Sequence, residues 1–155
     1  MADYKLPKPL DPDFERRVRE SFKRQGLMQY LGASLVAVAA GSCEIAVPFR
    51  SELSQQHGYF HAGVSGAIAD SACGYAAYSL APRDSSVLTV EFKLNLLAPA
   101  LGEALIAKAK VVRAGRTLTV CMADLLVIQR GVEKFCATSL STIMTVLDRP
   151  DSPAR

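Results

Sequence analysis

From His61 to Leu80 the chain carries a single charge, Asp70, within a run dense in Ala and Gly. Gly63, Gly66, Ala69, Ala72, Gly74 and Ala76 recur through it, and Pro82 follows. Such a stretch reads as a buried helix, because small side chains let a sheet approach the helix backbone closely. Each glycine costs that helix about 1 kcal/mol relative to alanine, and close packing must offset the loss. The segment therefore predicts a helix wrapped by sheet and ended at Pro82.

Asp70 is the anomaly of that helix. Ile68, Ala69, Ala72 and Cys73 surround it in sequence, with no basic residue within a turn. Isolated carboxylates are rarely buried, since desolvating one costs several kcal/mol. Three explanations stand: Asp70 faces a subunit interface, accepts backbone N–H groups, or does chemistry. His61 opens the helix nine residues earlier. A helix N-terminus offers unpaired N–H donors and a partial positive charge, suited to a developing oxyanion. At 1.5 Å per residue the two lie about 13 Å apart along the axis, so they cannot cooperate within one chain. If both are catalytic, a second chain running the opposite way completes the site.

Other chemistries fit poorly. His57 and His61 are four apart but lack a helical Glu beside them, so no metal is expected. Gly63-Val-Ser65-Gly66 has Ala67 where a nucleophile elbow needs glycine, and no His follows His61, which excludes a serine triad. Eighteen Lys and Arg against fifteen Asp and Glu leave a net charge of +3, too slight for a nucleic-acid surface but compatible with a small anionic ligand. Cys43, Cys73, Cys121 and Cys136 sit in apolar stretches without C-x-x-C spacing, and read as reduced, buried thiols of a cytoplasmic protein. No apolar run follows the first charges, so no leader is expected. Leu27 to Phe49 holds one charge, Glu44, but the Gly41-Ser42 turn and the alternation after it describe two strands rather than a membrane span.

The 155 residues predict one domain, with residues 1–26 as an extension and 27–147 as the core. Residues 1–10 form a Pro-rich lead-in. Asp11-Pro12 reads as an N-cap and first helical position, and Gly26 as the stop. Phe14, Val18 and Phe22 make the apolar stripe between them, with Glu15–Arg19 and Glu20–Arg24 as ion pairs on a solvated face. A hairpin is expected at 33–49, and strands at 86–98, 104–113, 117–129 and 134–147, the last three joined as hairpins. Leu88, Val90, Phe92, Leu94 and Leu96 alternate with Thr89, Glu91, Lys93 and Asn95, as in a half-buried strand. Antiparallel strands around one segregated helix make the class α+β.

With Gln55-Gln56-His57-Gly58-Tyr59-Phe60-His61-Ala62-Gly63, then Asp70-Ser71-Ala72-Cys73-Gly74, the chain resembles the hotdog-fold acyl-CoA thioesterases of the phenylacetate-degradation type. Thr89-Val90-Glu91-Phe92 leading to Leu97-Ala98-Pro99-Ala100, and the Gly115-Arg116-Thr117-Leu118 turn, extend the likeness over residues 27–147. Gln55 stands where the family has Asn, and Ala62 where it has Gly. The resemblance implies a hotdog fold: about six antiparallel strands around one long central helix, here with an extra N-terminal helix. It implies hydrolysis of acyl-CoA to free acid and coenzyme A, with coenzyme A as part of the substrate and no further cofactor. The Ala62 amide would hold the thioester carbonyl, with Gly63 beside it. His61 and Gln55 would orient the thioester, and Thr89 would place a water. Asp70 of the opposing subunit would attack or act as base, and either role needs it ionised. Tyr59, Phe60, Tyr75 and Leu88 would line the acyl slot, and Arg113 and Arg116 would meet coenzyme A phosphates. A homodimer or a dimer of dimers is expected, with neither nucleic acid nor membrane as partner. A non-catalytic acyl-CoA binder is the alternative; hydratase chemistry on this fold fits less well.

Overall fold

The computed structural model describes residues 4–152. Its helices are α1 (Phe14–Phe22), α2 (Gly26–Leu31) and α3 (Ala62–Tyr78). Its strands are β1 (Ser34–Ala39), β2 (Ser42–Pro48), β3 (Ser85–Leu96), β4 (Ala104–Ala114), β5 (Leu118–Gln129) and β6 (Val132–Leu147). One antiparallel sheet runs in the order β1-β2-β4-β5-β6-β3 and curls around α3, the hotdog arrangement. Ala69, Ala72 and Ala76 are wholly buried on α3, facing a sheet interior of Ile45, Leu105 and Leu125. Short alanines on the helix let the branched side chains of the sheet approach its backbone closely.

The strand register changes one expectation. β3 pairs only with β6, and between Thr89 and Glu91 the pairing slips by one residue, so Val90 is a bulge. A bulge inserts an unpaired residue and reverses which face the following side chains occupy. Thr89 opposite buried Ile143, and Phe92 opposite buried Ser141, consequently share the face turned to α3. Simple alternation places them on opposite faces.

The N-terminal region also differs from its reading. Asp13, not Asp11, precedes α1, and Asp11 is buried, its Oδ1 accepting the Asp13 N–H at 3.0 Å. Gly26 does not end the region: it begins α2, which stops at Gly32, a left-handed residue with φ +69°. Glycine is the natural occupant there because a Cβ disfavours that conformation. Arg19 pairs with Glu15 at 2.9 Å as expected, whereas Glu20 pairs with Arg16 at 2.9 Å and Arg24 reaches Asp151 at 2.6 Å. Arg17 leaves that solvated face and turns inward. Of the lead-in, residues 1–3 lie outside the described residues; Tyr4 Oη accepts the Ala114 N–H at 2.9 Å.

All four cysteines are free and buried. Burial pushes the Cys43 thiol up to about 12 and the Cys73 thiol up to about 11, and raises Cys121 and Cys136 as well. Unfolded thiols ionise near 9, so between there and 11–12 the folded chain binds more protons than the unfolded one. Stability from these thiols is whole below pH 9 and declines as pH rises, by about 1.4 kcal/mol per thiol per pH unit. Urea midpoints at pH 8, 9 and 10 should fall progressively, and less steeply in Cys43→Ala; the same slope in that variant contradicts the assignment.

Candidate active site

The N-terminus of α3 is organised by its own histidine. His61 has extended backbone angles, and its Nδ1 accepts the Gly63 N–H at 2.8 Å, which places the proton of a neutral ring on Nε2. A Cβ on residue 63 would lie 3.0 Å from that Nδ1, so glycine keeps the cap intact. The Val64 N–H is bonded to His61 O at 2.9 Å. The Ala62 N–H donates to no group among the described residues. The preceding loop is tied down by Phe60 N–H to Ala100 O at 3.0 Å and His61 N–H to Leu53 O at 2.9 Å. Gln55 Oε1 accepts the His57 N–H, leaving its NH₂ as the free end of the carboxamide. Gln55, Tyr59, Phe60, Ala62, Leu97 and Pro99 line one cavity of about 380 Å³. A free amide at a helix N-terminus, set in an apolar wall, can polarise a carbonyl oxygen.

Two turns along α3, Asp70 opens into a second cavity, of about 300 Å³, instead of the sheet interior. It is half-buried. The Thr89 hydroxyl donates to Asp70 Oδ1 at 2.6 Å, a short bond of the strength expected for a charged acceptor. No cation pairs with Asp70 among the described residues. Its Oδ2 accepts no protein hydrogen bond there, so that oxygen is available to a water or an electrophile. Ala62 and Asp70 are eight residues apart on one helix, about 12 Å. One chain therefore presents the free Ala62 amide and the Asp70 carboxylate in separate cavities.

The thioesterase superfamily pattern matches residues 57–132, which include Ala62, Asp70 and Thr89. A solved thioesterase family protein from Silicibacter pomeroyi is 45% identical, covers 86% of this chain and 98% of its own, and superposes with a TM-score of 0.85. The chain belongs to the thioesterase superfamily. It is a thioester hydrolase by class. A Halobacterium salinarum protein provisionally named an esterase is 33% identical over 100 residues, 61% of this chain and 66% of that protein. A Listeria monocytogenes protein named 1,4-dihydroxy-2-naphthoyl-CoA hydrolase is 27% identical over 61% of this chain and 77% of its own. At 17% identity, the Escherichia coli PaaI protein shares the fold, with a TM-score of 0.78 over 88% of this chain and 96% of its own.

In this thioesterase the structure brings Gln55, Tyr59, Phe60 and Ala62 together, and joins Thr89 to Asp70. It does not bring the two groups to each other within one chain. The His61 ring is exposed and borders a different hollow, with Leu27, Tyr30 and Glu52. Leu88 and Tyr75 line the Asp70 cavity rather than the Ala62 cavity. Arg113 lies over the Tyr4 ring, 4.8 Å from its centre, and Arg116 borders an apolar hollow with Lys8 and Leu147. Among the described residues there is no cluster of three or more His, Cys, Asp or Glu able to hold a metal, and no helix long and apolar enough to cross a membrane. Sequence reasoning missed Ser21, Gln25, Ser71 and Gly74 in the Asp70 cavity. A partial signal exists: Gly74 follows Asp70 by four residues on the same helix face, and Gly74, Tyr75 and Tyr78 follow Ser71 by three, four and seven along the face beside it.

Proposed function

We propose that this protein hydrolyses acyl-CoA thioesters at a site assembled from two protomers, with Asp70 of one and the Ala62 amide of the other. The observation that carries the reading is the separation of the two halves: Asp70 and the unpaired Ala62 N–H occupy different cavities of the same helix. The edge of the sheet supports it. β3 is twelve residues long, pairs on one side only, and exposes Leu88, Val90, Phe92 and Leu96. A long, unpaired edge with exposed apolar side chains invites a second strand, and Thr89 sits on it. Two-fold pairing there runs the second α3 antiparallel and carries its N-terminus towards Asp70.

The thioester carbonyl accepts the Ala62 N–H, and the helix dipole stabilises the oxyanion as the carbonyl carbon becomes tetrahedral. Asp70 Oδ2 either attacks that carbon or takes a proton from a water that does. If Asp70 attacks, the acyl–sulfur bond breaks to leave an acyl anhydride on Asp70, which a water then hydrolyses to the free acid; if water attacks, its oxygen enters the acid directly. On either route the coenzyme A sulfur leaves as thiolate and is protonated by the proton released from that water. Thr89 fixes Asp70 through Oδ1, and its own lone pairs can receive an O–H of the water. The Gln55 NH₂ and His61 Nε2–H are the donors assigned to orient the thioester. Gly63 keeps the amide turn open, and Tyr59 and Phe60 wall the thioester's path. Arg113 and Arg116 are assigned to coenzyme A phosphates, because guanidinium matches phosphate oxygens bidentately. The unpaired β3 edge and the split site together support a dimer or a dimer of dimers.

Thiol release from acetyl-, hexanoyl- and benzoyl-CoA tests the activity, alongside light scattering at micromolar concentration. Catalytic release by a species of at least two chains is expected. An active monomer overturns the shared site, and tight binding of a non-hydrolysable acyl-CoA analogue with no release from any thioester overturns hydrolysis.

A further inference from the structure

We infer that the Asp70 cavity receives the acyl group and that the hydroxyl pair of Ser21 and Tyr75 selects acyl groups bearing a hydroxyl or carbonyl on their distal part. This rests on the hydrolase reading and adds to it the substrate's chemistry. The cavity follows α3 from Asp70 past Ser71 and Gly74 to Tyr75 and Tyr78, with Val87 and Leu88 of β3 on one side. Its volume of about 300 Å³ admits a single ring or a short chain, since a closed apolar cavity of about 150 Å³ already takes up benzene. Gly74 makes room: a Cβ there would meet nothing within 4 Å.

The far wall is polar: the N-terminal extension supplies Ser21 and Gln25, α3 supplies Ser71 and Tyr75, and Asp151, paired with Arg24, also lines the cavity. Ser21 Oγ and Tyr75 Oη are 3.2 Å apart, in residues only 8% and 4% exposed. One hydrogen bond between two hydroxyls uses one of their two donors, so one O–H and spare lone pairs remain for a ligand. Like any tyrosine, Tyr75 is a neutral donor near pH 7, and burial pushes its hydroxyl further up, to about 12. Beside them the Ser71 hydroxyl donates to Gln25 Oε1 at 3.1 Å, leaving the Gln25 NH₂ free. Tyr75 lies about 7.5 Å beyond Asp70 along the axis, roughly the length of one aromatic ring. A wholly apolar acyl group strands these donors, whereas an oxygen at that depth receives one. Ser21 and Gln25 fall outside residues 57–132, so their share of this wall is not part of what the superfamily pattern describes.

The test compares kcat/KM for paired thioesters: benzoyl-CoA with its 3- and 4-hydroxy derivatives, and hexanoyl-CoA with 5-oxohexanoyl-CoA. The wild-type protein should favour an oxygenated member by about 10- to 100-fold. Tyr75→Phe and Ser21→Ala should each bring the ratio towards one, while Ser21→Thr, which keeps the hydroxyl, should retain it. A purely structural role lowers both members of a pair alike. Gly74→Leu should reduce benzoyl turnover at least tenfold more than acetyl turnover by filling the cavity. Thiol release without wild-type preference, a preference surviving both hydroxyl deletions, or equal losses in Gly74→Leu overturns this inference alone. No release from any thioester overturns it together with the hydrolase reading.

Discussion

Asp70→Asn should lose about 10³-fold or more in kcat while folding as the wild type does, in line with the ~10²–10⁴ that a positioned acid or base contributes. Asparagine keeps the shape of the side chain and can still accept the Thr89 hydroxyl, now 2.6 Å from Oδ1. What it loses is the negative charge and basicity of the other oxygen. Because Asp70 has no cationic partner among the described residues, neutralising it strands no opposing charge. Thermal unfolding should therefore stay within a few degrees of wild type. Thiol-release assays under saturating acyl-CoA, with circular dichroism on the same samples, measure both. Retention of wild-type kcat would remove Asp70 from the mechanism.

The largest stability effect is expected at Arg17. Its guanidinium lies 4.2 Å over the Tyr78 ring and donates to the carbonyls of Tyr78, Ala81, Pro82 and Arg83, which close the C-terminus of α3. Its Nε lies 3.2 Å from Oδ2 of Asp11, a carboxylate only 2% exposed; the pair is held by charge and proximity rather than by an aligned hydrogen bond. A cation there also complements the negative end of the helix dipole. Arg17→Ala leaves the Asp11 charge buried and unpaired and the last-turn carbonyls without their donor. Breaking such a pair costs about 3–5 kcal/mol, or roughly 10 °C in Tm for a domain of this size. Arg17→Lys should recover only part, since an ammonium cannot span those carbonyls. An unchanged melting temperature in Arg17→Ala would remove the guanidinium from the forces holding α3.

Both residues show what a local pattern can and cannot carry. Asp70 was conspicuous because a carboxylate in an Ala- and Gly-rich helix needs a reason, whatever surrounds it. In sequence Arg17 is one more charge on a helix with Asp13, Glu15 and Glu20 interleaved, the pattern of a solvated face. Only the packing of α1 against the end of α3 distinguishes it from Arg16, which is 59% exposed and paired with Glu20. Gln25 and Ser21 were equally silent, because a lone polar residue gives no hint of the cavity opposite.

The sequence alone determined the long central helix, the antiparallel strands that follow it, and the distance between Asp70 and the helix start. These depend on side-chain size, turn residues and a fixed rise per residue, all of which are local. Tertiary structure decided which face Thr89 occupies, because a one-residue slip at Val90 inverts the strand and leaves no mark in composition. It also decided that the N-terminal extension walls the carboxylate's cavity and that Arg17 closes the helix. Those arrangements arise from residues sixty or so positions apart meeting in space, and no window along the chain contains both partners.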